Sequence, residues 1–595
     1  MATYQPPIRD QRFVIEELIG LDRLDGLAGV EPVTPELLGA VLEEAGRLAG
    51  EVWAPLNRAG DRQGCRLEDG RVRLPEGFAD AYRAFVDGGW NGIGADPQRG
   101  GQGLPEVAAT ATQEMWHGAN MALALAPMLS AGATELLAQH GDEPLRARYL
   151  ERLVSGEWAG TMDLSEPQAG SDLGAVRMQA EPDEAGGAYR LYGEKIYITW
   201  GEHEAAENIV HLVLARTPDA PAGHKGLSLF LVPKYLAAAD GSLGARNDLR
   251  CTGLEEKLGI HASPTCTLRY GDGEGAVGYL VGERHRGLYH MFTMMNESRH
   301  KVGVQGVGVA ERAYQLARDF ARQRVQGRRP GGGEDVPIIA HPDVRRMLMA
   351  MRAPTEAMRA LALLTAAEMD TARHGADAEA RERAQRRVDL LTPLVKAVAT
   401  EQAVEAASLG IQVHGGVGYT EEAEAAQLLR DVRIAPIYEG TNGILGQDFT
   451  LRKVLKDGGE TLAALLAEAD ETVAGLRGAA ALSGLGDALA EAVAALRAST
   501  ERLLAGGGDD PLAALTAATP YLMQAGLVLG GWQMGRAALI AHEAVQAGRG
   551  DTDFYAAKLH TARFYMRHTL PRAHGYTPAV QGGSDELEAV TDTQW

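Results

Sequence analysis

The hydrophobic rhythm of this chain changes more than once along its length, and those changes limit the folds open to it. Residues 1 to about 160 carry apolar side chains three and four apart. In "TPELLGAVLEEAGRLAGEVWAPLN", Thr34 is placed to cap a helix and Glu36 and Glu43 fall on its polar side. Between about 161 and 285 the segments shorten: "YRLYGEKIYITW", "NIVHLVLAR" and "GLSLFLVPKYL" are rich in Ile, Val, Leu and Tyr and partly alternating. Gly, Pro and Asp cluster between them, as antiparallel strands and turns require. The helical period returns at about 286, as in "HPDVRRMLMAMRAPTEAMRALALLTAAEMD", and holds to about 450. The remainder is helical and Ala/Leu-rich, broken at "LAGGGDDP" and closed by a polar tail. The expected class is α+β, mostly α, in four parts: residues 1–160, 161–285, 286–450 and 451–595. Strands and helices do not alternate, so a doubly wound parallel sheet is excluded.

A chain of 595 residues is too long for one core. Its formal net charge of -22 repels a phosphate backbone, so nucleic acid is not an expected partner. The three cysteines, Cys65, Cys251 and Cys266, form no CxxC pair and fit a reducing compartment. The first residues lack a basic stretch followed by an apolar one, and no run approaches 18 uninterrupted apolar residues. The expectation is a cytoplasmic protein with no transmembrane segment.

Several familiar motifs fail. "GVQGVGVAER" and "HGGVGYT" are glycine-rich but lack the full GxGxxG after a strand. "HEAAE" and "HEAVQ" lack the second histidine of a zinc site, and no metal is expected. The P-loop and GxSxG patterns are absent.

Three segments hold together: "MDLSEPQAGSDLG" (Met162 to Gly174), "GEKIYITWGEH" (Gly193 to His203) and "IQVHGGVGYTEEAEAAQLLRDVRIAPIYEGTNGI" (Ile411 to Ile444). In order and spacing they resemble the acyl-CoA dehydrogenase family over roughly residues 40 to 450. The length and the "SEPQAGSD" and "ITWGEH" variants look most like its bacterial branch of about 600 residues. The resemblance implies an N-terminal helical domain, a middle β-barrel, a helical bundle and a further helical domain. It also implies FAD as cofactor, an acyl-CoA substrate, a trans-2-enoyl-CoA product, an electron-transfer flavoprotein as partner, and a homodimer or higher homo-oligomer.

The resemblance makes Glu439 the catalytic base, with its backbone N–H donating to the thioester oxygen. Ile437 and Tyr438 before it are expected to form an apolar wall, and Gly440 lets the chain turn close to a ligand. Some relatives carry the base at the position of Ser298, where serine cannot serve. For the flavin the resemblance implies Met162, Leu164, Ser165, Ser171, Tyr197, Ile198 and Thr199, with Gln412, Gly415 and Gly416 on the pyrophosphate and adenine side. Thr441 and Gly443 follow the base. Arg324 and His341 correspond to residues that reach a neighbouring subunit's FAD, although "RQRVQGRR" is about one residue shorter than the usual run. Ser171, Asn296, Ser298 and Arg299 correspond to contacts with acyl-CoA. Arg430 and Asp431 are expected to form a structural ion pair.

An acyl-CoA oxidase shares this fold and base. A flavin-binding relative without dehydrogenase activity uses a basic C-terminal domain, whereas residues 451–595 here are more acidic than basic.

Overall fold

The structure is a computed structural model describing residues 4–24, 27, 30, 32–183, 186–238, 240–329, 331–506 and 510–595. The chain forms two compact units, each assembled from separate stretches.

One unit comprises Glu44–Leu104 and Ala119–Lys301. Its centre is a sheet in which Asn208–Arg216 runs parallel to Trp158–Asp163 on one side and antiparallel to Leu227–Pro233 on the other. Leu227–Pro233 pairs with Ala276–Leu280, and that strand with the start of Tyr189–Thr199. The short strand Gln179–Pro182 pairs with Tyr189–Thr199 and meets Asn208–Arg216 at Gln179 and Arg216. Five strands thus close into a barrel, while Trp158–Asp163 and Leu249–Leu254 stand at the ends of the sheet. Tyr189–Thr199 is long enough to serve twice. Its second half leaves the ring and pairs with Thr265–Tyr270, which in turn pairs with Leu249–Leu254.

Asn208–Arg216 and Leu227–Pro233 are buried along nearly their whole length. The partial alternation read from the sequence gives way to burial on both faces, as in other covered sheets. The helical reading of residues 1 to about 160 also omits a hairpin, Arg66–Glu68 with Arg71–Arg73. Asp69 and Gly70 join its strands with φ of 51° and 73°. This is the left-handed pair that an Asp-Gly turn supplies.

The other unit comprises Met1–Glu43, Pro105–Gly118 and Val302–Trp595. Thr34 caps helix Pro35–Arg47, its hydroxyl accepting from the Leu37 N–H at 3.2 Å. Helices Pro342–His374 and Ala378–His414 pack along one another. Helix Pro511–Ala547 lies against both and against Glu460–Gly478 and Ser483–Gly506. It comes so close to Ala378–His414 that a Cβ at Gly526 would stand 2.3 Å from a methyl carbon of Val398. Pro511–Ala547 and Met121–His140 are long and apolar enough to cross a membrane, but 61% and 78% of their apolar windows are buried within the protein.

A buried ionic cluster ties this unit together. Arg359, 1% exposed, bonds Glu114 through two nitrogens (2.6 and 3.0 Å), Asp10 at 2.6 Å and Glu311 at 2.8 Å. Lys558 joins Asp10 to Glu356. Burial alone would push the Asp10 carboxyl up; Lys558 and Arg359 outweigh it and hold it down at about 2.

Candidate active site

The residues singled out in the sequence are divided between the two units. In the barrel unit, strand Trp158–Asp163 ends by delivering Met162, Leu164 and Ser165, all half-buried, into a tight loop. Glu166 and Ala169 exchange backbone hydrogen bonds at 3.0 and 2.9 Å, closing that loop. The Glu166 carboxylate accepts the N–H groups of Arg177 (2.8 Å) and Met178 (3.1 Å) and the ammonium of Lys195 (2.9 Å). Lys195, fully buried, donates as well to the Leu164 carbonyl at 2.9 Å, and the Ile196 N–H donates to the Ser165 carbonyl at 3.0 Å. Burial raises the Glu166 carboxyl, and Lys195 with the two peptide N–H groups more than reverses that, so it lies below the ordinary range. Burial pulls the Lys195 ammonium below its ordinary range against the opposing pull of Glu166, and the contacts of the two side chains fix the backbone on both sides of Ser165. Behind the loop, buried Asp163 accepts from the Tyr270 hydroxyl at 2.5 Å and lies 3.3 Å from Nδ1 of His211.

Tyr197 is 62% exposed and has φ of 60°; Trp200 has φ of 53°. Left-handed backbone at two bulky residues is unfavourable and is held here by neighbours. The Trp200 N–H donates to the Pro264 carbonyl at 2.7 Å and its indole to the Ala122 carbonyl at 3.1 Å. Thr161 donates to the Thr199 carbonyl at 2.8 Å, and Ile198 pairs with Cys266. An open aromatic ring is thus presented from a rigid strand.

Ser171 is exposed. Asn296 is exposed and accepts from Arg299 at 3.2 Å. Ser298 is fully buried, its hydroxyl has no hydrogen-bond partner among the described residues, and a Cβ at Gly132 would stand 3.6 Å from it.

In the helical unit, Glu439 is half-buried with φ of 55°, followed by Gly440 at 87°. The apolar wall expected around it takes a different form. Ile437 is 47% exposed, while Tyr438 turns its hydroxyl to donate to the side-chain carbonyl of Gln305. Gln305 is buried and its amide lies 3.3 Å from Nδ1 of His117. Lys396, fully buried, donates to the Gly440 carbonyl at 2.8 Å and to the Asn442 side-chain oxygen at 2.9 Å. The Asn442 amide donates to Glu401 at 2.8 Å. Thr441 caps the short helix Asn442–Gln447, and Gly443 is exposed on it.

Gln412, Gly415 and Gly416 end helix Ala378–His414 and are exposed; a Cβ at either glycine would meet nothing within 4 Å among the described residues. Nearby in sequence, Val417 and Tyr419 are exposed. Arg324 donates to the Gln326 side chain at 3.1 Å, and His341 lies 2.8 Å from the Gln326 carbonyl, within a hairpin of Val325–Arg328 and Asp335–Pro337. Arg430 reaches Glu421 at 3.1 Å, and Asp431 accepts from Gln427 at 3.2 Å.

Lys195, Glu166, Gln305, Asn442 and Lys396 were not among the residues singled out from the sequence. The signal for Lys396 is a lone charge in the apolar run "LLTPLVKAVA". For Lys195 it is a lysine two positions before an exposed tyrosine on a strand. In the barrel unit, an open aromatic ring beside a clamped loop of Met162, Leu164 and Ser165 fits a flat, partly polar ring system. The bare glycine backbone at 415–416 fits close approach of a ligand. Both sets fit a flavin nucleotide.

The chain matches four family models in order. They are the acyl-CoA dehydrogenase N-terminal domain over residues 40–157, the middle domain over 161–272, the C-terminal domain over 285–450, and the acetyl-CoA dehydrogenase C-terminal like family over 465–591. It is 49% identical to a 3-methylmercaptopropionyl-CoA dehydrogenase of Ruegeria pomeroyi, across 98% of this chain and 99% of that one. It is 35% identical to a broad-specificity linear acyl-CoA dehydrogenase of Mycobacterium tuberculosis, across 96% of each. An acyl-CoA dehydrogenase of Bacillus anthracis, solved in complex with FAD, shares the fold with a TM-score of 0.72 at 22% identity, over 98% of this chain and 92% of that one. With that likeness along its whole length, the chain belongs to the acyl-CoA dehydrogenase family, an oxidoreductase whose cofactor is FAD.

Proposed function

We propose that this enzyme oxidises the Cα–Cβ bond of a short acyl-CoA thioester carrying a thioether, of the 3-methylmercaptopropionyl type, to the trans-2-enoyl-CoA. The observation that carries this reading is 49% identity to a 3-methylmercaptopropionyl-CoA dehydrogenase over 98% of the chain. Glu439 takes the α-proton, the electron pair of that C–H bond becomes the new π bond, and the β-hydrogen leaves as hydride. The chemistry supplied by FAD when bound is acceptance of that hydride. The Glu439 N–H donates to the thioester oxygen, stabilising charge as it develops. Tyr197, Ile198 and Thr199 hold one side of the flavin, with Met162, Leu164 and Ser165 at its ring. Ser171, Asn296 and Arg299 meet the CoA arm, whereas Ser298, expected there too, is fully buried in this structure. Gln412, Gly415, Gly416, Thr441 and Gly443 complete the nucleotide contacts.

The electrons pass to an electron-transfer flavoprotein, and the enzyme works in the cytoplasm as a homodimer or higher homo-oligomer. Exposed Val417 and Tyr419 beside the open glycines support a subunit contact there, with Arg324 and His341 serving the neighbour's FAD. The four segments 1–160, 161–285, 286–450 and 451–595 are proposed as its domains, supported by the ranges of the four family matches.

A panel of acyl-CoA thioesters tests the substrate. The highest kcat/KM is expected for the 3-methylmercaptopropionyl thioester, measured by anaerobic dye reduction and without peroxide release in air. A preference for long chains would overturn the substrate class, and stoichiometric peroxide would make the enzyme an oxidase.

The Lys195–Glu166 clamp predicts a separate effect. Lys195→Met leaves Glu166 buried without its cation and loosens the Leu164 carbonyl, a loss of about 3–5 kcal/mol when one member of a buried pair is removed. The expected result is protein that purifies with substoichiometric FAD and a lower thermal midpoint in the apoprotein. Wild-type FAD content and affinity by fluorescence titration would remove the clamp from the account.

A further inference from the structure

We infer that Lys396 is the positioning residue for the base loop, and that it acts through the Gly440 carbonyl. The inference rests on the reading of Glu439 as the base. Two consecutive left-handed residues, Glu439 and Gly440, form the turn. Glycine adopts that backbone freely, but glutamate does so only under strain. The turn is therefore not self-sustaining and depends on contacts from outside it.

The structure supplies three such contacts within one unit. Upstream, the Tyr438 hydroxyl is tied to buried Gln305. Across the turn, the Asn442 N–H donates to the Pro436 carbonyl at 3.0 Å. From beneath, the Lys396 ammonium bonds both the Gly440 carbonyl and the Asn442 side chain, and Asn442 is itself anchored to Glu401 and to the Thr400 hydroxyl at 3.2 Å. The third contact carries charge. A fully buried ammonium is costly to place on a helix packed on both sides, and the acceptors it meets compensate that cost. The Gly440 carbonyl immediately follows the residue whose carboxylate and N–H both serve the reaction. A shift there moves both functions together.

The test compares Lys396→Met, Asn442→Ala and Glu439→Gln in the FAD-loaded enzyme and the apoprotein. Lys396→Met is expected to lower kcat about 100-fold, the cost of a misplacement of about 1 Å, with KM within about threefold of wild type. Hydrogen exchange should accelerate in residues 436–445 of loaded and apo protein alike, while helix Pro342–His374 keeps its protection. Asn442→Ala should accelerate exchange in the same segment and lower kcat less; it carries the test if Lys396→Met does not fold. Unchanged loop exchange with kcat within about threefold of wild type overturns the role of Lys396. Exchange that rises equally across helices Pro342–His374 and Ala378–His414 also overturns it, because the lysine would then serve only bundle stability. Glu439→Gln separates the two readings: if it is inert while Lys396→Met is normal, only the positioning role fails; if it turns over normally, the base assignment fails.

Discussion

Glu439→Gln should reduce kcat by at least about 10³-fold while leaving FAD content and the binding of a non-reacting acyl-CoA analogue near wild type. A positioned general base contributes about 10²–10⁴-fold, and here the reaction has no route to the product without removal of the α-proton. Glutamine matches glutamate in shape and keeps the backbone N–H, so the donor proposed for the thioester oxygen is retained. The substitution therefore removes proton acceptance and little else. The left-handed backbone at 439 also survives, because glutamine bears the same strain as glutamate. The thermal midpoint should move little. Stopped-flow reduction under anaerobic conditions measures the chemical step directly; a rate within tenfold of wild type on every thioester tried would sink the assignment.

Arg359→Met should cost about 3–5 kcal/mol of stability, the penalty for leaving buried charges uncompensated. Three carboxylates, Glu114, Asp10 and Glu311, meet on this one guanidinium. Methionine fills much of the volume but offers no donors, so their mutual repulsion and desolvation are released at once. Pairing it with Glu114→Gln should recover part of the loss, which distinguishes electrostatics from packing. The cluster also has an acid limit. The folded-state carboxyl of Asp10 lies at about 2, below the ordinary 3.8, so its contribution is whole above pH 3.8 and is lost as pH falls through about 2. Urea midpoints across that range measure it. A midpoint for Arg359→Met equal to wild type at pH 7 would show that the cluster adds nothing.

Long helices and short strands were legible because their hydrophobic periods differ and because the segments are long. The closure of the barrel was not, since Gln179–Pro182 bridges it by a single parallel register that no local pattern encodes. The hairpin at 66–73 carried a readable Asp-Gly signal inside a stretch otherwise dominated by helices. At the site, Glu439 and the flavin segments were singled out by motif and stand as proposals. The lysines beneath them were not, because Lys396 lies 43 positions before Glu439 and touches a backbone carbonyl, which has no sequence signature. Tyr438 shows the same limit from the other side. Its place beside the base in sequence suggested a wall, but its hydroxyl is committed to Gln305, 133 positions away.

The two ends of the chain are partners. Arg9 lies 3.9 Å over the Phe554 ring, Glu17 accepts from Tyr555 at 2.9 Å, the Leu18 carbonyl accepts from Arg536 at 2.5 Å, and Lys558 grips Asp10. The family matches begin only at residue 40, and the last of them begins at 465. The leading segment and the trailing helices are therefore packed as a pair. Removing one would strand the complementary charges of the other. A ribosome must release the last helices before the leading segment can find its mate.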